Sequence, residues 1–290
     1  MRERDVFVSA AKELGAEVNV QNANGDVEEQ ISQIEYFIKK QVDVIVVVAG
    51  DCEALSDVMI KAREAGIKTV SYDRLIMNAG CDLYISFDNT EVGRLMAESM
   101  LENIPDGGDI FLIQGPLTDN NVSLIREGID ETLAGSNLNV VYEANCPGWI
   151  AENAYTYTKE GLKLDRNVKG IICGNDDLAS QAFRALSEER LAGKVCVTGQ
   201  DGDLAACQRI VEETQEMTAF KSVEQEASLA AKCAVLLGLG EEIEEVQDTA
   251  YDGTYNVPYL ELQPIAVTKE NMDEVIIKGG FHAKEDVYLN

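Results

Sequence analysis

From Val44 to Ala49 the chain carries six consecutive apolar residues, five of them β-branched. A run this continuous cannot alternate a wet face with a dry one, so it reads as a strand covered on both faces. A second run, Ile67-Lys68-Thr69-Val70-Ser71-Tyr72, reads the same way and ends on an acid beside a base, Asp73-Arg74. Strands buried on both faces belong to parallel sheets flanked by helices, and such sheets place their ligands beyond the carboxyl ends of the strands.

The segments between the strands are helical. Val6, Ala10, Ala11 and Leu14 form a stripe closed by Gly15, and Glu17–Val20 reads as a short strand. Asp26 and Glu29 make a capping box ahead of Ile31, Ile34, Phe37 and Ile38. Leu55, Val58, Met59 and Ala62 mark the next helix, and Tyr84–Phe87 is a strand followed by a helix over Glu91–Leu101. After Pro105-Asp106-Gly107-Gly108 the alternation restarts. Strands are expected at Ile110–Gln114, Asn139–Tyr142, Gly170–Cys173, Val195–Thr198 and Met217–Phe220. Helices are expected at Val122–Leu133, Ala151–Leu164, Asp177–Leu186 and Asp203–Val211. The fold class is therefore α/β, with two doubly wound parallel-sheet domains.

Composition removes several functions. Fifty-two acidic residues against 24 basic ones give a formal charge of -28, the opposite of what phosphate neutralisation needs, so nucleic acid is excluded as a partner. No apolar run approaches the roughly 18 residues of a membrane span. The seven cysteines form no C-x-x-C and are odd in number; with most inside strand or helix runs, they read as small hydrophobes and not as a disulfide scaffold. The sole histidine, His282, cannot build the usual zinc sites and reads as a solvated loop residue. No G-x-G-x-x-G or G-x-x-x-x-G-K-[ST] is present. No cofactor, metal or catalytic residue is expected, and the protein is not read as an enzyme.

What remains is a set of polar residues at strand ends. Asp73-Arg74, Thr118-Asp119-Asn120-Asn121, Gly174-Asn175-Asp176 and Gln200-Asp201-Gly202-Asp203 each follow a strand. Each is also a fitting helix cap or strand-end ion pair, and Asp176 and Asp203 are read as caps. Carboxylate, amide and guanidinium side chains suit the hydroxyls of a neutral sugar, which both donate and accept. Trp149, the only tryptophan, follows Gly148 and could stack on a sugar's C–H face or simply pack.

Taken together, Tyr72-Asp73-Arg74, Ile85-Ser86-Phe87-Asp88-Asn89, Asp119-Asn120-Asn121, Gly148-Trp149, Gly174-Asn175-Asp176, Gly199-Gln200-Asp201, Met217-Thr218-Ala219-Phe220-Lys221 and the tail Ile276–His282 resemble the type I periplasmic sugar-binding proteins, and within them the members that bind D-xylose. The resemblance runs in order over essentially the whole chain. It implies a two-domain clamp with three hinge strands that binds a monosaccharide without chemistry. The implied lobes are 1–104 with 222–262, and 105–221 with 263–290. The implied sugar contacts are Asp73 and Arg74 from the first lobe, Asp119, Asn121, Trp149, Asn175 and Asp201 from the second, and Lys221 near a hinge. The implied partner is an ABC sugar permease or a membrane sensor kinase, the implied site of action extracytoplasmic, and the implied state a monomer. The rival class, the effector core of a sugar-responsive regulator, calls for a DNA-binding helix-turn-helix and a different charge. Members of the family begin with a strand and a basic loop, whereas Met1 here falls in the first helix. About 15–30 further residues holding a Val/Ile-rich strand and an Arg-rich loop are therefore expected upstream, preceded by a signal peptide or lipid anchor.

Overall fold

The computed structural model describes residues 2–246 and 248–289. In chain order the elements are α1 (Arg2–Glu13), α2 (Val27–Lys40), β1 (Val44–Val47), α3 (Ser56–Glu64), β2 (Lys68–Tyr72), β3 (Leu83–Phe87), α4 (Asn89–Asn103) and β4 (Gly108–Gln114). They continue with α5 (Asn120–Leu133), β5 (Leu138–Asn145), α6 (Glu152–Leu164), β6 (Gly170–Cys173), α7 (Asp176–Glu188), β7 (Cys196–Gln200), α8 (Leu204–Val211) and β8 (Met217–Phe220). The last are α9 (Val223–Leu239), β9 (Asp248–Tyr251), β10 (Asn256–Leu262), β11 (Ile265–Val267) and α10 (Lys284–Tyr288). The elements build two compact α/β units, as the alternation predicts. Residues up to Asp88, Thr118–Asn121 and Ser222–Leu262 form the first; Asn89–Leu117, Val122–Lys221 and the chain from Gln263 form the second.

The first unit is a five-stranded sheet in the order β1-β2-β3-β10-β9, parallel except for the β9–β10 pair. Side chains leave a strand to alternate sides, so Ile45, Val47 and Tyr84 enter a core under α2 and α3 with Ile34, Val58 and Met59. Val70, Tyr72, Leu83 and Ile85 point the other way, against Ala230 and Cys233 of α9 and Phe7 of α1. The expected strand at Glu17–Val20 does not form. β1 pairs with β2 alone, Glu17–Val20 joins no ladder, and Val20 is 46% exposed; an extended segment without a neighbouring strand has nowhere to put its N–H and C=O groups except water.

The second unit has six strands in the order β11-β8-β7-β6-β4-β5, with only β11 antiparallel to its neighbour. Phe111, Ile113, Ile171 and Val197 face Ala154, Leu178 and Ala182 of α6 and α7. Ile110, Leu112, Ile172 and Met217 face Val92, Met96 and Met100 of α4 and Ile125 and Ile129 of α5. α4 thus belongs to the second unit, although the expected division placed residues up to 104 in the first. Its apolar stripe is spent on the second sheet, and the chain changes unit at Asp88, one helix earlier than expected. Beyond Phe220, helix α9 and strands β9–β11 lie outside the alternation read from the sequence; β9 is almost wholly exposed and carries no apolar signature.

Candidate functional site

In the first unit β2 runs its ladder one residue past the strand, with the Asp73 N–H donating to the Ile85 carbonyl at 2.8 Å. Asp73 then takes a positive φ of 61° and Arg74 N–H closes a tight turn onto the Tyr72 carbonyl at 2.7 Å. The Asp73 carbonyl accepts from Ser86 Oγ at 2.7 Å and from Asn121 Nδ2 at 3.1 Å, and Asn121 Nδ2 also lies 3.3 Å from Asp73 Oδ1. Arg74 Nη1 donates to the Ala49 carbonyl at 3.0 Å. Its Nε lies 2.8 Å from Asp119 Oδ2 and 3.6 Å from Asp73 Oδ2. Nε makes no aligned hydrogen bond there, so the 2.8 Å approach is an ion pair. Asp119 is buried and accepts the Asn121 N–H at 3.0 Å, while the buried Asn121 Oδ1 has no partner.

Four of the predicted residues, Asp73, Arg74, Asp119 and Asn121, therefore form one cluster, Arg74 joined by ion pairs and the others by hydrogen bonds. The expected division assigned Asp119 and Asn121 to the other lobe; their contacts group them with the first unit. The cluster is held by main-chain groups and keeps part of the guanidinium and one amide oxygen unspent. That combination offers both donor and acceptor to a neutral hydroxylated ligand. A buried amide oxygen with nothing to accept from carries a desolvation cost of about 1–3 kcal/mol that a ligand would remove.

In the second unit Trp149 ends a 3-10 turn, Pro147–Trp149, that follows β5. Gly148 and Trp149 both have positive φ, 59° and 57°, so the chain turns the indole back onto the sheet. Two glycines make room for it. A Cβ on Gly115 would lie 2.2 Å from the ring and one on Gly174 3.2 Å. Asn175, extended at φ -156°, is the N-cap of α7, its Oδ1 accepting the Leu178 N–H at 2.9 Å. Asp201, at φ 100°, continues the β7–β8 ladder through its N–H to the Ala219 carbonyl at 3.0 Å, and Lys221 Nζ stands 3.7 Å from Asp201 Oδ1.

Two assignments from the sequence change. Asp176 is not a cap but the first helical residue of α7, fully buried, with four donors on its carboxyl group: Gly202 N, Asp203 N, Thr218 Oγ1 and Gln215 Nε2 at 3.0, 3.0, 2.7 and 3.1 Å. Burial pushes that carboxyl up to about 8, against the pull of the Thr218 hydroxyl. His282 is half-buried rather than solvated, with Nε2 2.8 Å from the Gly202 carbonyl oxygen. Neither role has a local sequence signal, because the partners lie up to 80 residues away. Asp203 does occupy the N-cap of α8, but its side chain caps nothing. Burial, then the neighbouring Asp201 and Asp177 charges, push its carboxyl up to about 6.

That shift has a measurable consequence. A carboxyl with a folded pKa near 6 and an unfolded one near 3.8 stabilises the fold fully below the unfolded value. The contribution is lost as pH rises through 6, at no more than about 1.4 kcal/mol per pH unit. Solvent screening of a half-buried group reduces the total to about 1 kcal/mol. Asp203→Asn keeps a residue favoured at N-caps and cannot ionise. The variant is expected to match the parent in urea unfolding at pH 4 and to exceed it by about 1 kcal/mol at pH 7; a constant difference across that range would remove the burial of Asp203 as the cause.

Among the described residues no group of three or more His, Cys, Asp or Glu is placed to hold a metal ion, and no helix is long and apolar enough to cross a membrane. All seven cysteines are free.

Comparison with known proteins adds a second line of evidence. Residues 2–242 match the family described as periplasmic binding protein domain. The chain is 44% identical to the D-xylose-binding periplasmic protein of Haemophilus influenzae over 99% of this chain and 87% of that one. It is 40% identical to the Escherichia coli protein of the same description over 99% and 88%. Among solved structures, an ABC transporter solute binding protein from Clostridium phytofermentans with bound β-D-glucose superposes with a TM-score of 0.90. That match spans 99% of this chain and 95% of that one at 26% identity.

Proposed function

This chain belongs to the family of type I periplasmic sugar-binding proteins, and from that premise we propose that it captures one monosaccharide, D-xylose, and releases it chemically unchanged. The sugar's partners are Asp73, Arg74, Asp119 and Asn121 of the first unit and Trp149, Asn175, Asp201 and Lys221 of the second. The observation that carries this reading is the Asp73–Arg74–Asp119–Asn121 cluster. Arg74 and Asn121 are tied down by the Ala49 and Asp73 carbonyls, yet Arg74 Nε and Asn121 Oδ1 are left without a hydrogen bond. Such pre-organised groups lose little freedom when they bind hydroxyls. Trp149 supplies the flat apolar surface that a pyranose's C–H face requires.

The choice of D-xylose is supported by the 44% and 40% identical relatives described as binding it. Those relatives are binding proteins. The protein acts outside the cytoplasm, like relatives described as periplasmic. It hands its sugar to an ABC permease, a partnership supported by the description of the Clostridium structure.

Selectivity tests the proposal. In calorimetric titrations with D-xylose, ribose, arabinose, glucose and galactose, D-xylose is expected to bind tightest. A tenfold advantage, about 1.4 kcal/mol, for ribose or galactose would overturn the choice of sugar while leaving the family untouched. Because Trp149 is the only tryptophan, its fluorescence is expected to change saturably during the same titration. Trp149→Ala should weaken binding by about 1–3 kcal/mol, as for other aromatic anchors; unaltered affinity in that variant would return Trp149 to a packing role.

A further inference from the structure

Asp201 and Gly202 follow each other with positive φ, 100° and 74°. For a residue with a Cβ such a backbone is strained and persists only where its surroundings over-determine it. The surroundings here are specific. The Gly202 N–H donates to Asp176 Oδ2 at 3.0 Å and to Thr218 Oγ1 at 3.1 Å, and the next N–H, of Asp203, donates to the same carboxyl oxygen at 3.0 Å. The Gly202 carbonyl oxygen receives His282 Nε2 at 2.8 Å and the Cys207 thiol at 3.5 Å. Since a carbonyl only accepts, Nε2 must carry the proton. The imidazole is held in turn by an aromatic chain: Phe281 meets His282 edge-on at 4.6 Å and Phe220 at 4.8 Å. A Cβ at position 202 would fall 2.7 Å from the Phe220 ring, so the residue there must be glycine.

We propose that Asp176 and His282 are positioning residues for Asp201. They grip the two backbone groups of Gly202 from opposite sides and hold the Asp201 turn in its strained form before any ligand arrives. The C-terminal tail thereby becomes part of the ligand-binding apparatus without touching the ligand. This inference rests on the reading of Asp201 as a sugar contact, and it adds the sole histidine, which has no other assigned role.

The test uses two substitutions at His282 in the full chain. His282→Gln keeps a donor for the Gly202 carbonyl; His282→Phe keeps the aromatic packing on Phe281 and loses the donor. Amide hydrogen exchange at Gly202, followed by NMR without sugar, is expected to quicken about tenfold or more in His282→Phe and to stay near the parent value in His282→Gln. D-xylose affinity is expected to fall about tenfold in His282→Phe and to be largely retained in His282→Gln, with both melting like the parent. Asp176→Asn, where it folds, should quicken the same amide. Equal exchange at Gly202 in all the chains, or equal xylose affinity in His282→Phe and the parent while Asp201→Ala loses binding, would overturn the proposal. If the parent binds no sugar, the proposed function fails; the exchange rates still decide whether the turn is clamped.

Discussion

Asp201→Ala is expected to weaken D-xylose binding by about 2–4 kcal/mol, or roughly 30- to 1,000-fold, with little change in melting. The size follows from what the substitution leaves behind. A carboxylate accepting from sugar hydroxyls is a charge-assisted acceptor, stronger than a neutral one. Its removal leaves those hydroxyls desolvated and unpaired. Lys221, only 9% exposed, also loses the carboxylate oxygen 3.7 Å from its Nζ. Stability should hold because the turn at 201–203 is secured by backbone groups and Asp176, and the substitution keeps the Cβ and leaves those bonds in place. Calorimetric titration of the variant beside the parent measures the loss. An affinity within threefold of the parent's would take Asp201 out of the binding set.

Gly128→Val is expected to cost the second unit about 3 kcal/mol of stability, near the upper end for overpacking. Helices α4 and α5 cross with backbone against backbone. A Cβ on Gly128 would lie 1.9 Å from the Thr90 carbonyl oxygen, and one on Gly93 2.0 Å from that of Ile125. Neither obstacle is the end of a flexible side chain that could swing aside, so the helices would have to part. Their separation would open the core of Met96, Met100, Ile125 and Ile129, where lost contacts add to the strain. Gly93→Val should behave alike, and the two together should cost less than their sum, because one separation relieves both clashes. Urea unfolding monitored by far-UV circular dichroism gives these values; a midpoint unchanged in Gly128→Val would mean that the crossing is looser than 2 Å approaches imply.

The parallel core of both units was legible because its strands are self-announcing. Ile110–Ile113 and Gly170–Cys173 are buried on both faces and read as unbroken apolar runs; Val44–Val47 is as continuous a run, but Val44 and Val46 are only half-buried and the expected double cover is incomplete there. The candidate residues stood out as strand-end polar residues, and the structure gathers four of them, Asp73, Arg74, Asp119 and Asn121, into one cluster. Their clustering could not be read, since it depends on Asn121 reaching across 48 residues to Asp73. Glu17–Val20 carries strand-like residues, yet local propensity does not supply a neighbour to pair with. Strand β9 failed to announce itself for the converse reason: it is exposed at the sheet edge and its identity comes from pairing with β10. Asp176 and Asp203 show the same limit in chemistry. Both are acids at the start of a helix, but one is a buried hub and the other an unused cap. Gly115 is as instructive, since only the packed Trp149 ring explains why no side chain fits there.

The most direct measurement is equilibrium dialysis of the chain against 13C-labelled D-xylose, with the bound sugar displaced and identified by NMR. The expected result is saturable uptake approaching one sugar per chain, and recovery of D-xylose with its spectrum unaltered after prolonged incubation. No retained label at millimolar sugar, or recovery of any product other than D-xylose, would contradict capture and release of an unchanged monosaccharide.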